Sequence, residues 1–351
     1  MIQKLPIGIG MIGTGMVGQM CHLANYVSHP ACRVAAIADL RPDLAAAAAA
    51  KFGIARVCRS HRELLDDPDV SAVVVVTRRR ATGPIVMEAL NRGRHVLSEK
   101  PMAYTSAQAA SLVETAKARN LLYAIGYMKR HDAGVARAIS VLSGFRADMS
   151  LGRMRQARAW CFAGDTGGAR DNFVMTPEAR PDGLELWQDG PDWMPVAMRP
   201  GYDAFLNVFS HIINLARYML GTSPALVESQ VAMDGGGTFS LDFDGVPCAF
   251  ELAHASAGPW REGIEIGFER GVVRIELPPP FAEDEARVFV ERDGHRAELP
   301  RDRDWAFRRQ AQAFVADIAG RSQPLASGED SLIDIALAEA IWKARVAPSA
   351  R

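Results

Sequence analysis

The stretch PIGIGMIGTGMVGQMCHLANYV, residues 6–27, decides the fold. An apolar run over 6–12 breaks at Gly13-Thr14-Gly15-Met16-Val17-Gly18, and a helix-forming segment follows over 15–27. Strand, glycine turn and helix in that order open a βαβ unit. Gly13 permits the tight turn, Gly15 lets the backbone approach an anion, and Gly18 lets the helix pack closely on the strand. The helix start at Met16 and Val17 turns its free amides toward that anion. The pattern alone is weak, because glycine fills 30 of 351 positions. Its context is stronger: Asp39 follows Gly18 by 21 residues, at the end of the next apolar run. That combination is a dinucleotide fingerprint, in which Asp39 accepts hydrogen bonds from the adenosine ribose. A carboxylate there repels a 2′-phosphate and favours NAD over NADP, a preference tempered by the nearby Arg41.

The same grammar continues outward. Apolar runs at 33–38, 72–77, 94–98 and 121–126 alternate with helical segments at 43–52, 84–92 and 106–119. Runs such as VAAIA and AVVVV lack polar alternation, as strands covered on both faces do. The expected fold is α/β, with a doubly wound parallel sheet over 1–126. Beyond about residue 150 the pattern changes. Expected strands at 153–162, 225–233, 238–243, 247–254, 263–269, 272–277 and 286–291 alternate in polarity or are joined by glycine turns. They predict an antiparallel or mixed sheet with one face covered, in a second domain over 127–351. A long segment, 164–201, carries Trp187 and Trp193 and reads as a loop lining a site or an interface. Helices at 305–319 and 331–347 close the chain and can pack back on the first domain.

Composition narrows the function. With 40 basic and 41 acidic residues the net charge is −1, so no global field attracts nucleic acid or a membrane surface. No apolar run reaches the ~20 residues a membrane helix needs. The five cysteines are scattered without a CxxC pair, which fits reduced thiols in a cytoplasmic protein. The eight histidines show no metal-binding spacing, and no metal is expected.

HVLSEKPMAYTS, residues 95–106, ends an apolar run in Glu99-Lys100-Pro101. Ligands bind beyond the carboxyl ends of parallel strands, so Lys100 faces the cofactor pocket. Pro101 biases Lys100 away from helix. An ammonium there can stabilise a developing alkoxide.

GTGMVG, Asp39, SEKP and a later N-x-x-x-H-x-x-N together resemble the Gfo/Idh/MocA oxidoreductases, over nearly the whole chain. The resemblance implies a Rossmann domain, a C-terminal α/β domain with a large, mostly antiparallel open sheet, and assembly as a homodimer or homotetramer. It also implies that Lys100 touches both cofactor and substrate. The family's second motif is usually D-x-x-x-H-x-x-D; here Asn207, His211 and Asn214 stand at i, i+4 and i+7, on one face of a continuous helix. His211 becomes the proton acceptor and Asn207 its orienting neighbour. Where relatives often carry Thr-Pro-Asn, this chain has Thr77-Arg78-Arg79-Arg80. Arg78 and Arg79, with Lys129 or Arg130, then bind an anionic substrate group, and Tyr127 lines the same cleft. Cofactor contacts fall to the glycine loop, Asp39, Arg41, Thr77, Glu99 and Lys100. The expected activity is an NAD(P)-dependent oxidation of a secondary alcohol on a sugar or cyclic polyol. The alternatives are a dinucleotide-binding regulator and a lyase that uses bound NAD transiently.

Overall fold

The computed structural model describes residues 6–168, 172–221 and 223–346. Ala347, the expected end of the last helix, lies outside the described residues, as do 169–171 of the long loop. Six strands form one all-parallel sheet: β1 (Ile7–Ile12), β2 (Cys32–Ala38), β3 (Val57–Cys58), β4 (Ala72–Val75), β5 (His95–Ser98) and β6 (Tyr123–Ile125). Their order is β3-β2-β1-β4-β5-β6. It reverses between β1 and β4, which opens a crevice at the carboxyl ends of those two strands. The helices are α1 (Ala24–Val27), preceded by a π-helical turn at Gly18–Leu23, α2 (Pro42–Phe52), α3 (His61–Leu65), α4 (Arg79–Asn91) and α5 (Ser106–Ala118). Val73 through Val75 are fully buried, as the unbroken apolar run requires.

The chain divides into two units, and the first gathers more than its N-terminal part. It comprises Met1–Gly126, Ala169–Gln188 and Phe307–Leu332. Ala311, Phe314 and Val315 of the late helix Ala306–Gly320 enter the core beside Ile9, Met11 and Val74. Helix α4 starts five residues earlier than the expected 84–92, because Pro84 is tolerated inside it. Proline cannot bond to the carbonyl four residues back. The Arg80 carbonyl is taken instead by the Trp187 amide, at 2.9 Å.

The second unit comprises Tyr127–Gly168, Asp189–Ala306 and Ile333–Arg351. Its eight strands are β7 (Met154–Asp165), β8 (Ala225–Val231), β9 (Gly237–Phe243), β10 (Val246–Pro259), β11 (Arg261–Phe268), β12 (Gly271–Leu277), β13 (Arg287–Arg292) and β14 (His295–Glu298). Among the described residues every pairing in this sheet is antiparallel except β7 with β10. Helix α6 (Ala133–Asp148) packs on β12 and β13. Two further helices, α7 (Arg199–Val208) and α8 (Ser210–Leu220), follow the long loop, and α8 packs on β7 and β11. On the other face charges pair across strands, as Arg158 does with Glu251 at 2.7 Å and Arg287 with Glu298 at 2.7 Å. Such exposed pairs contribute little to stability, because solvent screens them.

Asp132 caps α6 by accepting from the Val135 amide at 3.0 Å, and it also accepts from the Ala286 amide at 3.1 Å. Burial pushes its carboxyl up from 3.8 to about 6, against the pull of those amides. A folded-state pKa above the unfolded one gives a stabilising contribution that is complete below the unfolded pKa. It is lost as pH rises through about 6. A rise of this size corresponds to roughly 3 kcal/mol. Urea unfolding of the parent and Asp132→Asn should therefore show the parent's relative stability falling by about 2–3 kcal/mol between about pH 4 and about pH 7. A gap that stays constant with pH would remove Asp132 as the titrating group.

Candidate active site

The glycine turn after β1 has the shape of a phosphate cradle. Gly13 sits at φ +96°, and a Cβ there would lie 2.0 Å from the Val76 carbonyl oxygen. A Cβ on Gly18 would lie 2.4 Å from the Gly13 carbonyl oxygen, so helix and strand touch backbone to backbone. At Gly15 a Cβ would meet only an Arg41 nitrogen, at 3.8 Å. The middle glycine thus presents bare backbone to open space beside the helix start. That is the fit a dinucleotide pyrophosphate requires, and these residues would hold one.

Asp39 is more heavily engaged than its motif suggests. Its Oδ2 accepts from the Thr14 amide at 2.8 Å and from the Thr14 hydroxyl at 3.2 Å. Arg41 adds a fork, Nε to Oδ1 at 3.0 Å and Nη2 to Oδ2 at 3.2 Å. Burial raises the carboxyl's pKa, but the Arg41 and Thr14 hydrogen bonds outweigh it and hold Asp39 below the usual range. The pair is close to electrically neutral, so Asp39 repels a second anion less than a lone carboxylate would.

At the end of β5, Glu99 links two chain segments. His22 of the π-turn contacts its Oε1 at 2.7 Å, and its Oε2 accepts from the Lys100 amide at 3.2 Å. Gly126 makes room, since a Cβ there would lie 3.1 Å from the Glu99 carboxyl group. Lys100 follows, partly exposed, joined to Pro101 by a cis peptide bond. Because β5 neighbours β4, Lys100 and Thr77 lie at the same carboxyl edge. The Thr77 hydroxyl contacts that of Thr82 at 3.1 Å. Of the arginines that follow, Arg78 is exposed and Arg79 partly so, while Arg80 donates from Nε to the Trp187 carbonyl at 2.9 Å.

The second unit holds the histidine motif, and here the geometry differs from expectation. The continuous helix through Asn207, His211 and Asn214 is broken at Phe209, so Asn207 ends α7 while His211 and Asn214 belong to α8. The Ser210 hydroxyl bonds back to the Leu206 carbonyl at 2.7 Å, a contact that bends helices. His211 is buried and meets Tyr127 edge to face, with the two ring centres 5.7 Å apart. Tyr127 is also buried, which pushes its hydroxyl well above its ordinary pKa.

Asn214 lies in a buried network that the sequence did not announce. Its Oδ1 accepts from Arg130 Nε at 2.7 Å, and its Nδ2 donates to Asp334 at 2.7 Å. Asp334 comes from the closing helix Gly328–Val346 and also pairs with Arg217 at 2.7 Å. The reading of Lys129 and Arg130 as anion ligands changes accordingly. Arg130 is spent on Asn214 and lies over the Tyr218 ring at 5.0 Å, and Lys129 pairs with buried Glu262. The only trace of Asp334 in the sequence is one carboxylate among the apolar residues of LIDIALA.

Residues 7–127 match the family described as oxidoreductase family, NAD-binding Rossmann fold, GFO_IDH_MocA. That part of the chain is similar to the Gfo/Idh/MocA oxidoreductases. A levoglucosan dehydrogenase from Pseudarthrobacter phenanthrenivorans is 26% identical over 227 residues, 63% of this chain. The chain spans about half of that relative, 53% of its length. A dTDP-3,4-didehydro-2,6-dideoxy-alpha-D-glucose 3-reductase from Saccharopolyspora spinosa is 27% identical over 97% of this chain and 98% of its own. The fold is shared with a 3-ketoreductase from Actinomadura kijaniata crystallised with NADP and TDP-benzene. That match has a TM-score of 0.74, covers 97% of this chain and 98% of that one, and is 22% identical.

Against the usual Gfo/Idh/MocA motif, the asparagine at 214 now has a physical reason. Its amide offers an acceptor to Arg130 and a donor to Asp334. An aspartate in its place would set a second carboxylate against Asp334 in a buried site.

Proposed function

We propose that this protein is an NAD-dependent dehydrogenase acting on a secondary alcohol of a sugar or cyclic polyol, with nucleotide-linked, phosphorylated and acidic sugars favoured. The observation that carries the reading is the open cradle at Gly15 on the same sheet edge as Lys100. Bound nicotinamide supplies a hydride acceptor. In this reading the Lys100 ammonium donates a hydrogen bond to the alcohol oxygen and stabilises negative charge as it develops there. His211 takes the hydroxyl proton, a role suited to an imidazole near neutral pH. Asn207 orients the His211 imidazole, and Arg78 and Arg79 offer planar forks to a phosphate or carboxylate. The near full-length likeness to a reductase of a dTDP-sugar supports a nucleotide-linked substrate. Assembly as a homodimer or homotetramer in the cytoplasm belongs to the same reading and rests on the family resemblance.

The test is absorbance at the NADH band with NAD or NADP across polyols, free sugars, sugar phosphates, sugar acids and nucleotide sugars. Cofactor reduction with one substrate group is the expected result. Silence across the panel with dinucleotide binding intact would overturn the dehydrogenase reading.

A further inference from the structure

The first unit contains a segment that the sequence order places far from it. Residues 172–188 lie against the edge that carries the glycine turn, Asp39 and α4, pinned at three places. At the first, buried Gln19 donates to the Val174 carbonyl at 2.9 Å and accepts from the Val174 amide at 2.9 Å. The same side chain donates to the Thr14 carbonyl at 2.7 Å, tying the segment to the glycine turn. At the last, Trp187 exchanges hydrogen bonds with Arg80, and its ring fills the space that a Cβ on Gly83 would take.

The middle anchor is chemically the most specific. Helix α2 begins at Pro42 after Arg41, whose side chain makes no capping bond. The first free amides of that helix, Asp43 and Leu44, donate instead to the two carboxylate oxygens of Glu178, at 3.0 and 2.8 Å. Thr176 steadies the carboxylate, its hydroxyl donating to Oε2 at 2.9 Å. Glu178 therefore caps α2 from 134 residues away in the chain. A helix start just beyond the β2 aspartate is where an extra phosphate on the adenosine ribose would seek amides. Here both amides already hold an anion. Asp39 is neutralised by Arg41, so Glu178 restores a negative charge to this end of the crevice.

We propose that Glu178 is a cofactor-specificity residue, an internal anion seated where a 2′-phosphate would otherwise bind, which selects NAD(H) against NADP(H). The selection works twice: the carboxylate occupies the amides, and its charge repels the incoming phosphate. Arg41 is left as the partner of Asp39 and is not recruited to the phosphate. This inference rests on the reading of the first unit as a dinucleotide site, and the test separates the two.

The experiment is direct binding to the full chain without sugar substrate. Dissociation constants for NADH and NADPH are read from quenching of tryptophan fluorescence. Those for 5′-AMP and adenosine 2′,5′-bisphosphate are read by calorimetry. The parent should prefer NADH, and Glu178→Gln should narrow the NADH-to-NADPH ratio by roughly tenfold. The bisphosphate should gain on 5′-AMP in the same proportion. Glu178→Ala, which also empties the amides, should narrow both ratios at least as far. Parent protein that binds NADPH as tightly as NADH overturns the inference, as do ratios unmoved in both variants. Failure of the parent to bind any of the four compounds would instead overturn the dinucleotide reading itself.

Discussion

Lys100→Ala is expected to lower kcat with the best substrate by a factor on the order of 10²–10⁴, the range removed with a charged donor aimed at developing negative charge. Affinity for NADH should change far less, because the glycine cradle and the amides beside it belong to other parts of the sheet edge. The fold should tolerate the change: the Lys100 side chain is partly exposed, and the Glu99 contact uses the backbone amide that alanine retains. Stability is expected to stay within about 0.5 kcal/mol of the parent. Lys100→Arg keeps the charge but spreads it over a planar fork, so it should recover only part of the rate. If Lys100→Ala weakened NADH binding but left kcat at saturating cofactor unchanged, the lysine would serve the cofactor alone, and its proposed action on the alcohol would fail. The measurement is steady-state kinetics alongside fluorescence titration of NADH.

Asp334→Ala is expected to cost about 3–5 kcal/mol of stability, the penalty for stranding a buried charge. Arg217 is 0% exposed and Asp334 3% exposed, so water cannot replace the lost carboxylate. Asn214 also loses the acceptor for its Nδ2 hydrogen. Urea unfolding should show the midpoint falling sharply while the slope is kept. Arg217→Met combined with Asp334→Leu should restore most of the loss, since two apolar side chains of similar volume carry no desolvation cost. A drop of less than about 1 kcal/mol in Asp334→Ala would mean that the pair is solvated and the network is not structural.

The glycine cradle was legible because every part of it is local. The turn, the packing glycine and the helix start lie within six residues, and only backbone geometry is needed to tie them to an anion. The parallel sheet was legible because strands buried on both faces leave unbroken apolar runs. Helix α6 was missed since glycine, serine and alanine along AGVARAISVLSGFRAD blur its apolar stripe. The break at Phe209 was missed for a related reason: periodicity runs straight through it, and only the Ser210 hydroxyl marks the bend. Asp39 falls just beyond β2, where the apolar run ends, but its environment was not legible, because the Arg41 fork and the Thr14 bonds appear only once the turn is folded.

By itself the sequence determined the doubly wound sheet, the cradle over Gly13–Gly18 and the place of Lys100 at a strand end. These follow from short-range sterics and from the period of apolar residues. Only the tertiary structure decided that Glu178 caps α2, that Asp334 joins Asn214 and Arg217, and that Lys129 and Arg130 are spent on Glu262 and Asn214. Each of those pairings joins residues far apart in the chain. The chemistry of a charge is set by what folding brings within about 3 Å of it, and no local pattern records that distance.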